Sequence, residues 1–309
     1  MSRKLFALLL AVLLSPCAAF AADETQEGLA TLWESLWHQS GTPTRIVRWE
    51  NEIRMRMTGV DLPQHRDYIL KALRTVTDEA GVKLVDVSDQ PNAEQLANFK
   101  LEVVPNTALE DNQPCVTYLD FRTEDKVDTA TMQMRSKDVY RCAYHESMHL
   151  MGVRGHPAGK TVLSYFPVKV DGLLPLDRVM LRAWYSPKMK GGMTPFEALG
   201  VLSDELVASL PAPDRDIAAQ TRNAFFTQTL DSMQAYAAGR GDIPAILKRS
   251  GKSTEDGIRR GRSEMSYFLG VAYFEGAVAP ADQKQALAWF ERAASAGNRR
   301  AQSYLAGPR

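Results

Sequence analysis

Apolar and polar positions alternate from residue 53. Ile53, Met55 and Met57 are interleaved with Arg54, Arg56 and Thr58, the two-residue period of a strand with one buried face. The period then lengthens. Ile69, Leu70, Leu73 and Val76 recur at helical spacing, so Asp67 to Ala80 reads as a helix that Gly81 stops. Short strands are predicted at Lys83–Val87, Asn98–Val104, Cys115–Phe121 and Thr129–Arg135. A second helical stripe follows, with Tyr140, Tyr144, Met148 and Met151 facing the core. Ser136 is placed to cap that helix, Asp138 suits its first turn, and Gly152 suits its end. After Pro175, the residues Leu176, Val179, Met180, Ala183 and Trp184 predict another buried helix, with Asp177 in its first turn. Pro211-Ala212-Pro213-Asp214 marks a boundary, beyond which the pattern is helical and rich in alanine. Ahead of the first strand, residues 23–43 read as an exposed helix or arm. Its Trp33 and Trp37, one turn apart, are spaced to dock onto a core.

Composition narrows the class. The chain has 309 residues, 45% hydrophobic and 24% charged, which suits a folded protein of one ordinary domain plus a smaller one. Formal charge is zero and no basic stripe stands out, which argues against a nucleic-acid partner. The first 21 residues read as a signal peptide. Arg3 and Lys4 precede the apolar run Leu5–Leu14, and Ala19-Phe20-Ala21 offers small residues for cleavage. Ser15-Pro16 ends the run well short of the ~20 residues a membrane anchor needs. Lipid modification of Cys17 fits poorly with Pro16 before it. Cleavage leaves 35 basic and 37 acidic side chains and places the mature chain in the periplasm or outside the cell. In an oxidising compartment Cys115 and Cys142 are expected to form a disulfide. Two separate buried thiols, or Cys142 as a metal ligand three residues before His145, are the alternatives.

The chemistry lies at His145-Glu146-Ser147-Met148-His149. Four-residue spacing on a helix puts both imidazoles on one face, within reach of one metal ion. Zinc held by neutral imidazoles lowers the pKa of water to ~7 and polarises a carbonyl. Glu146 stands beside the pair to take the water proton and pass it to a leaving amine. A catalytic zinc usually takes three protein ligands. His156 is the best third candidate, because Gly152 ends the helix and Gly155 frees the chain to turn back. The alternative is a surface loop histidine before Pro157.

The stretch from His145 to Pro157 resembles the zinc signature of metzincin metallopeptidases, and its His156-Pro157 pair resembles the serralysin-like branch. Thr161-Val162-Leu163-Ser164-Tyr165 resembles the turn beneath the metal in that group, and Leu176–Tyr185 its C-terminal helix. The combination is also similar to an uncharacterised bacterial family of exported metzincin-like proteins. The resemblance covers roughly residues 44–200 and is motif-specific over 142–185. It implies an α+β fold with a twisted mixed sheet, an active-site helix and an edge strand that pairs with extended peptide. It also implies Tyr165 as a group reaching the metal or the transition state. Two departures stand out: His156 comes one residue late, and Leu163 sits where the group has Met.

The C-terminal part resembles a Sel1-like repeat, a helix pair related to tetratricopeptide repeats. The carriers are Gly270–Gly276, Ala286–Ala294, Gly297 and Ala301, with Tyr273, Trp289 and Phe290 filling the space between helices. One unit cannot bury its own face, so it must dock on residues 215–250 or on the first domain. The expected organisation is a signal peptide at 1–21, the arm at 22–43, a metzincin-like zinc-binding domain at 44–210 and a small all-α region at 214–309. The repeat occupies about 262–305 of that region. The expected activity is hydrolysis of peptide bonds in a peptide or protein substrate with one zinc ion, His145, His149 and His156 as ligands, and Glu146 and Tyr165 as catalytic groups. The alternative is a catalytically inactive envelope protein that binds a peptide or protein partner through the helical end.

Overall fold

The computed structural model describes residues 16–121, 126–164, 169–276 and 280–307, with side chains from residue 22. The expected signal segment Arg3–Leu14, the side chain of Cys17, and Tyr165 lie outside the described residues. No helix among the described residues is long and apolar enough to cross a membrane.

The chain opens with α1 (Pro16–Ser35) and the short antiparallel pair β1 (Trp37–His38) and β2 (Thr42–Pro43). A mixed sheet and its helices follow: β3 (Ile53–Gly59), α2 (Leu62–Ala80), β4 (Leu84–Asp86), α3 (Ala93–Leu96), β5 (Phe99–Val104), β6 (Cys115–Asp120), β7 (Thr129–Arg135) and α4 (Val139–Leu150). The order across the sheet is β4-β3-β5-β7-β6. Its pairs are parallel except β6, which runs antiparallel to β7 at one edge. The rest is helical: α5 (Pro175–Trp184), α6 (Pro195–Ser209), α7 (Arg215–Ala237), α8 (Ala245–Arg249), α9 (Glu255–Glu275), α10 (Gln283–Ser295) and α11 (Arg299–Leu305). The fold is α+β, with a mixed sheet and a helical C-terminal region.

The alternation at residues 53–58 has its physical cause here. Ile53, Met55 and Met57 are buried on the face that packs against α2, while Arg54, Arg56 and Thr58 are half-buried on the other. That second face carries ion pairs, such as Arg56 to Glu94 at 2.7 Å. A largely parallel sheet is thus covered by helices on one side and by charged side chains on the other. The α4 helix lies against α2, β6 and β7. The Cys115–Cys142 disulfide ties it to the edge strand, with the two Cα atoms 6.1 Å apart. This bond removes both thiol alternatives.

Three local expectations are corrected. Residues 23–43 are not an exposed arm. Leu29, Leu32, Leu36 and Trp37 are fully buried, and Trp33 stacks on Phe196 at 5.5 Å. Each such side chain contributes roughly 1.5–3 kcal/mol of burial, so the helix is bound into the core. Ser136 does not cap α4. Its hydroxyl donates to Asp61 Oδ2 at 2.7 Å, and residues 136–138 form a one-turn 3₁₀ helix ahead of α4. Tyr140 is 37% exposed, not in the core. Its ring packs edge-on against Tyr68, because α2 crosses at that point.

The main apolar core runs without a break across the boundary near residue 211. It includes Phe225, Met233, Tyr236, Leu247, Met265 and Phe268 alongside the residues of the sheet. The helix pair docks on both surfaces open to it. Gln234 Nε2 donates to the Tyr273 hydroxyl at 2.9 Å, and the Tyr236 hydroxyl donates to the Ile258 carbonyl at 3.1 Å. Gly261 sits against the carbonyl of Gly41.

Candidate metal centre

The sequence of α4 and its exit builds a convergent site. His145 and His149 project from one face of α4, and Glu146 lies between them in sequence and is 2% exposed. Gly152 then adopts φ of +96°, where a Cβ would lie 2.1 Å from the Val47 carbonyl oxygen. Only glycine allows that turn. Gly155 passes so close to α1 that a Cβ would meet the Glu34 and Ser35 carbonyls at 2.5 and 2.6 Å. These two approaches bring His156 back toward the helix. The extra residue before His156 is absorbed in this turn, and its Nε2 lies 3.1 Å from that of His149. The Nε2 atoms of His145 and His149 are 3.0 Å apart. The three side chains could hold one metal ion, with their ligand atoms all within 4.8 Å of one another.

The tautomers follow from hydrogen bonding. His145 Nδ1 donates to the Val162 carbonyl at 3.0 Å, and His149 Nδ1 donates to the Val153 carbonyl at 2.6 Å. A carbonyl only accepts, so both rings carry their proton on Nδ1 and a lone pair on Nε2. Burial keeps the rings neutral, holding His149 down to about 4 and His156 to about 3. Two lone pairs facing each other at 3.0 Å repel. A cation between them removes that repulsion, and tetrahedral zinc with Zn–N near 2.0–2.1 Å places its nitrogens about 3.3 Å apart. The donor set therefore fits zinc.

Glu146 is buried beside the imidazoles. Its Oε1 lies 4.0 Å from His145 Nε2, and its buried Oε2 has no hydrogen-bond partner. Burial pushes its carboxyl up to about 7, against the smaller opposing effect of Thr117. Glu146, His149 and His156 line a cleft of about 1110 Å³ together with Cys115–Leu119 of β6. That strand is the edge of the sheet, paired among the described residues to β7 alone, and its residues 115–119 line the cleft.

Three contributors escape sequence reasoning. Asp177 is in the first turn of α5 as expected, and its carboxylate accepts from Leu174 N at 2.9 Å. It also accepts from Val162 N through both oxygens, each at 3.2 Å, and so anchors the turn whose carbonyl holds His145. That turn, Val162–Ser164, packs on α4, with Leu163 fully buried. His38 lines the cleft from β1, and its Nδ1 accepts from Ser40 N at 3.1 Å. Burial, then the charge of Arg154, lowers its pKa to about 4. Arg154 lines the cleft too, and burial alone lowers its pKa. Arg154 lies within the motif, between Gly152 and Gly155, which was the one available signal.

A comparison with family models matches a Sel1 repeat at residues 263–298. That range covers α9 from Ser263, all of α10 and the turn to Asn298. Sel1 repeats typically mediate protein interaction. No curated protein and no solved structure matches the chain.

Proposed function

We propose that this chain is an exported zinc metallopeptidase of metzincin type that hydrolyses peptide bonds at the His145–His149–His156 centre. The observation that carries the reading is the convergence of three imidazoles, two of them with Nε2 lone pairs inward, beside a buried carboxylate whose Oε2 has no hydrogen-bond partner among the described residues. Zinc held there would supply a Lewis acid for water and for the scissile carbonyl. Glu146 then accepts a proton at its unpaired oxygen and returns it to the leaving amine, a task suited to a carboxyl that titrates near neutrality. Val162 and Val153 fix the ligand rings through Nδ1, and Asp177 fixes Val162. The edge strand β6 offers an extended substrate a partner for its backbone. An open cleft of about 1110 Å³ exceeds the range of ordinary small-molecule sites and suits a peptide.

Two measurements test the reading together. Elemental analysis of the mature chain should find about one zinc per molecule, as a single catalytic site requires. Glu146→Gln should keep that zinc and lose roughly 100-fold or more in turnover of a peptide library. A chain that holds no zinc and takes up none on addition ends the proposal. Zinc retained with no turnover of any peptide would favour the inactive, partner-binding reading, which the Sel1 repeat supports.

A further inference from the structure

The cleft at the metal centre does not end at His156. A second cavity of about 1020 Å³ opens beside it, and His38, Ser40, Phe121 and Arg154 line both. Its walls come from residues 38–47, from Arg154, and from turns of α9 and α11 in the Sel1 region. Six arginines line it (Arg45, Arg154, Arg259, Arg260, Arg299 and Arg300), Glu264 is the one carboxylate among the lining residues, and Asp256 pairs with Arg259 at 2.8 Å from outside the wall. The whole chain has zero formal charge, so this concentration is local and not a general basicity.

The chemistry of the wall is selective. It holds arginines and no lysine, and a guanidinium fork matches a carboxylate through two parallel hydrogen bonds. Arg154 stands at the junction with the metal cleft. Among the described residues it has no ion-pair partner, and its side chain is half-buried. A half-buried charge without a counter-charge is costly, and an external carboxylate relieves that cost. Nucleic acid is a poorer fit. Single strands are held by exposed aromatic platforms. Of the two aromatic residues in the wall, Phe268 is 1% exposed and only Phe121 is open to a ligand. An extended segment along β6 would reach this cavity through the wall that the two share.

We propose that the arginine cavity binds an acidic peptide segment, a run of aspartates and glutamates that flanks the bond presented at the metal centre. The flanking role rests on the metallopeptidase reading; the binding site does not.

The test uses fluorescence anisotropy on the mature full chain. The probes are a fluorescein-labelled glutamate-rich peptide, its glutamine counterpart and a labelled single-stranded oligonucleotide. The glutamate peptide should bind about tenfold or more tighter than the glutamine peptide and weaken as salt rises. Arg260 and Arg299 are exposed, so Arg260→Glu/Arg299→Glu should fold normally by circular dichroism and lose about tenfold in affinity. Arg154→Gln should lose a similar factor. The preference should persist after zinc is chelated and in Glu146→Gln, which separates the cavity from the chemistry: failure to hydrolyse peptides leaves this inference standing. Equal affinity for the two peptides overturns it. So does an Arg260→Glu/Arg299→Glu protein that is folded and binds as before, or tighter binding of the oligonucleotide than of the glutamate peptide.

Discussion

At the scale of single residues, the candidate centre depends on side chains beyond its three imidazoles. Asp177 is buried and accepts from Val162 and Leu174. Replacing it with Asn keeps one oxygen for the two N–H groups but turns an NH2 donor toward the Val162 N–H, a buried donor–donor conflict that costs roughly 1–3 kcal/mol. It also loosens the carbonyl that orients His145, for which a roughly 10–100-fold loss in zinc affinity is expected by competition with a chelating dye. The same residue leaves a pH signature. Burial raises its carboxyl to about 6, above the ~3.9 of the unfolded chain. Between these values the folded protein binds more protons than the unfolded one, so the stability due to Asp177 falls as pH rises from about 4 to about 6. Urea unfolding of the zinc-free protein should show the gap between wild type and Asp177→Asn narrowing over that window. A gap that widens would show that the hydrogen bonds to the charged form outweigh burial.

At the scale of elements, the centre is a contact between pieces distant in the chain. The disulfide fastens the edge strand β6 to the ligand helix α4. The loop it closes has a sequence separation of 27, and chain entropy gives roughly 3–4 kcal/mol for such a closure. Reduction, or Cys115→Ser/Cys142→Ser, should lower stability by about that amount in guanidinium unfolding, and in the unreduced protein neither Cys115 nor Cys142 should react with a thiol-labelling reagent. The α1 helix presses on the ligand loop where Gly155 meets its last carbonyls. Gly155→Ala should therefore separate α1 from the loop and displace His156. Reduced zinc content at wild-type expression is the expected result; full zinc occupancy would show that the loop yields without cost.

At the scale of the whole molecule, the helical end is part of one body with the sheet. Phe225, Met233, Tyr236 and Leu247 belong to the same apolar core as the strands, and α1 packs against both α6 and α7. A mature chain ending at Leu210 would expose that shared surface. It should aggregate, or melt without a cooperative transition in circular dichroism. A cooperative melt near that of the full protein would show that the two regions fold separately. Helices α9 and α11, at the two ends of the matched Sel1 segment, place Arg259, Arg260, Arg299 and Arg300 on the cavity beside the candidate centre.

The sequence alone determined whatever depends on short spacing. The two-residue period placed β3, although α2 begins at Leu62, five residues before the predicted start at Asp67. The four-residue spacing placed His145 and His149 on one helical face, and Gly270 with Phe290 marked the helix pair, where a Cβ on the glycine would lie 2.6 Å from the ring. Tertiary structure decided the rest. Period carries no information about which distant carbonyl meets an imidazole, so the bonds from Val162 to His145 and from Asp177 to Val162 had no local signal. His156 joined the other rings only because α1 and Val47 crowd two glycines. The arginines of the cavity are spread from residue 45 to residue 300, and a chain of zero net charge shows no basic stripe. Only the docking of α9 and α11 beside β2 gathers them, because charge concentrates where folding brings surfaces together.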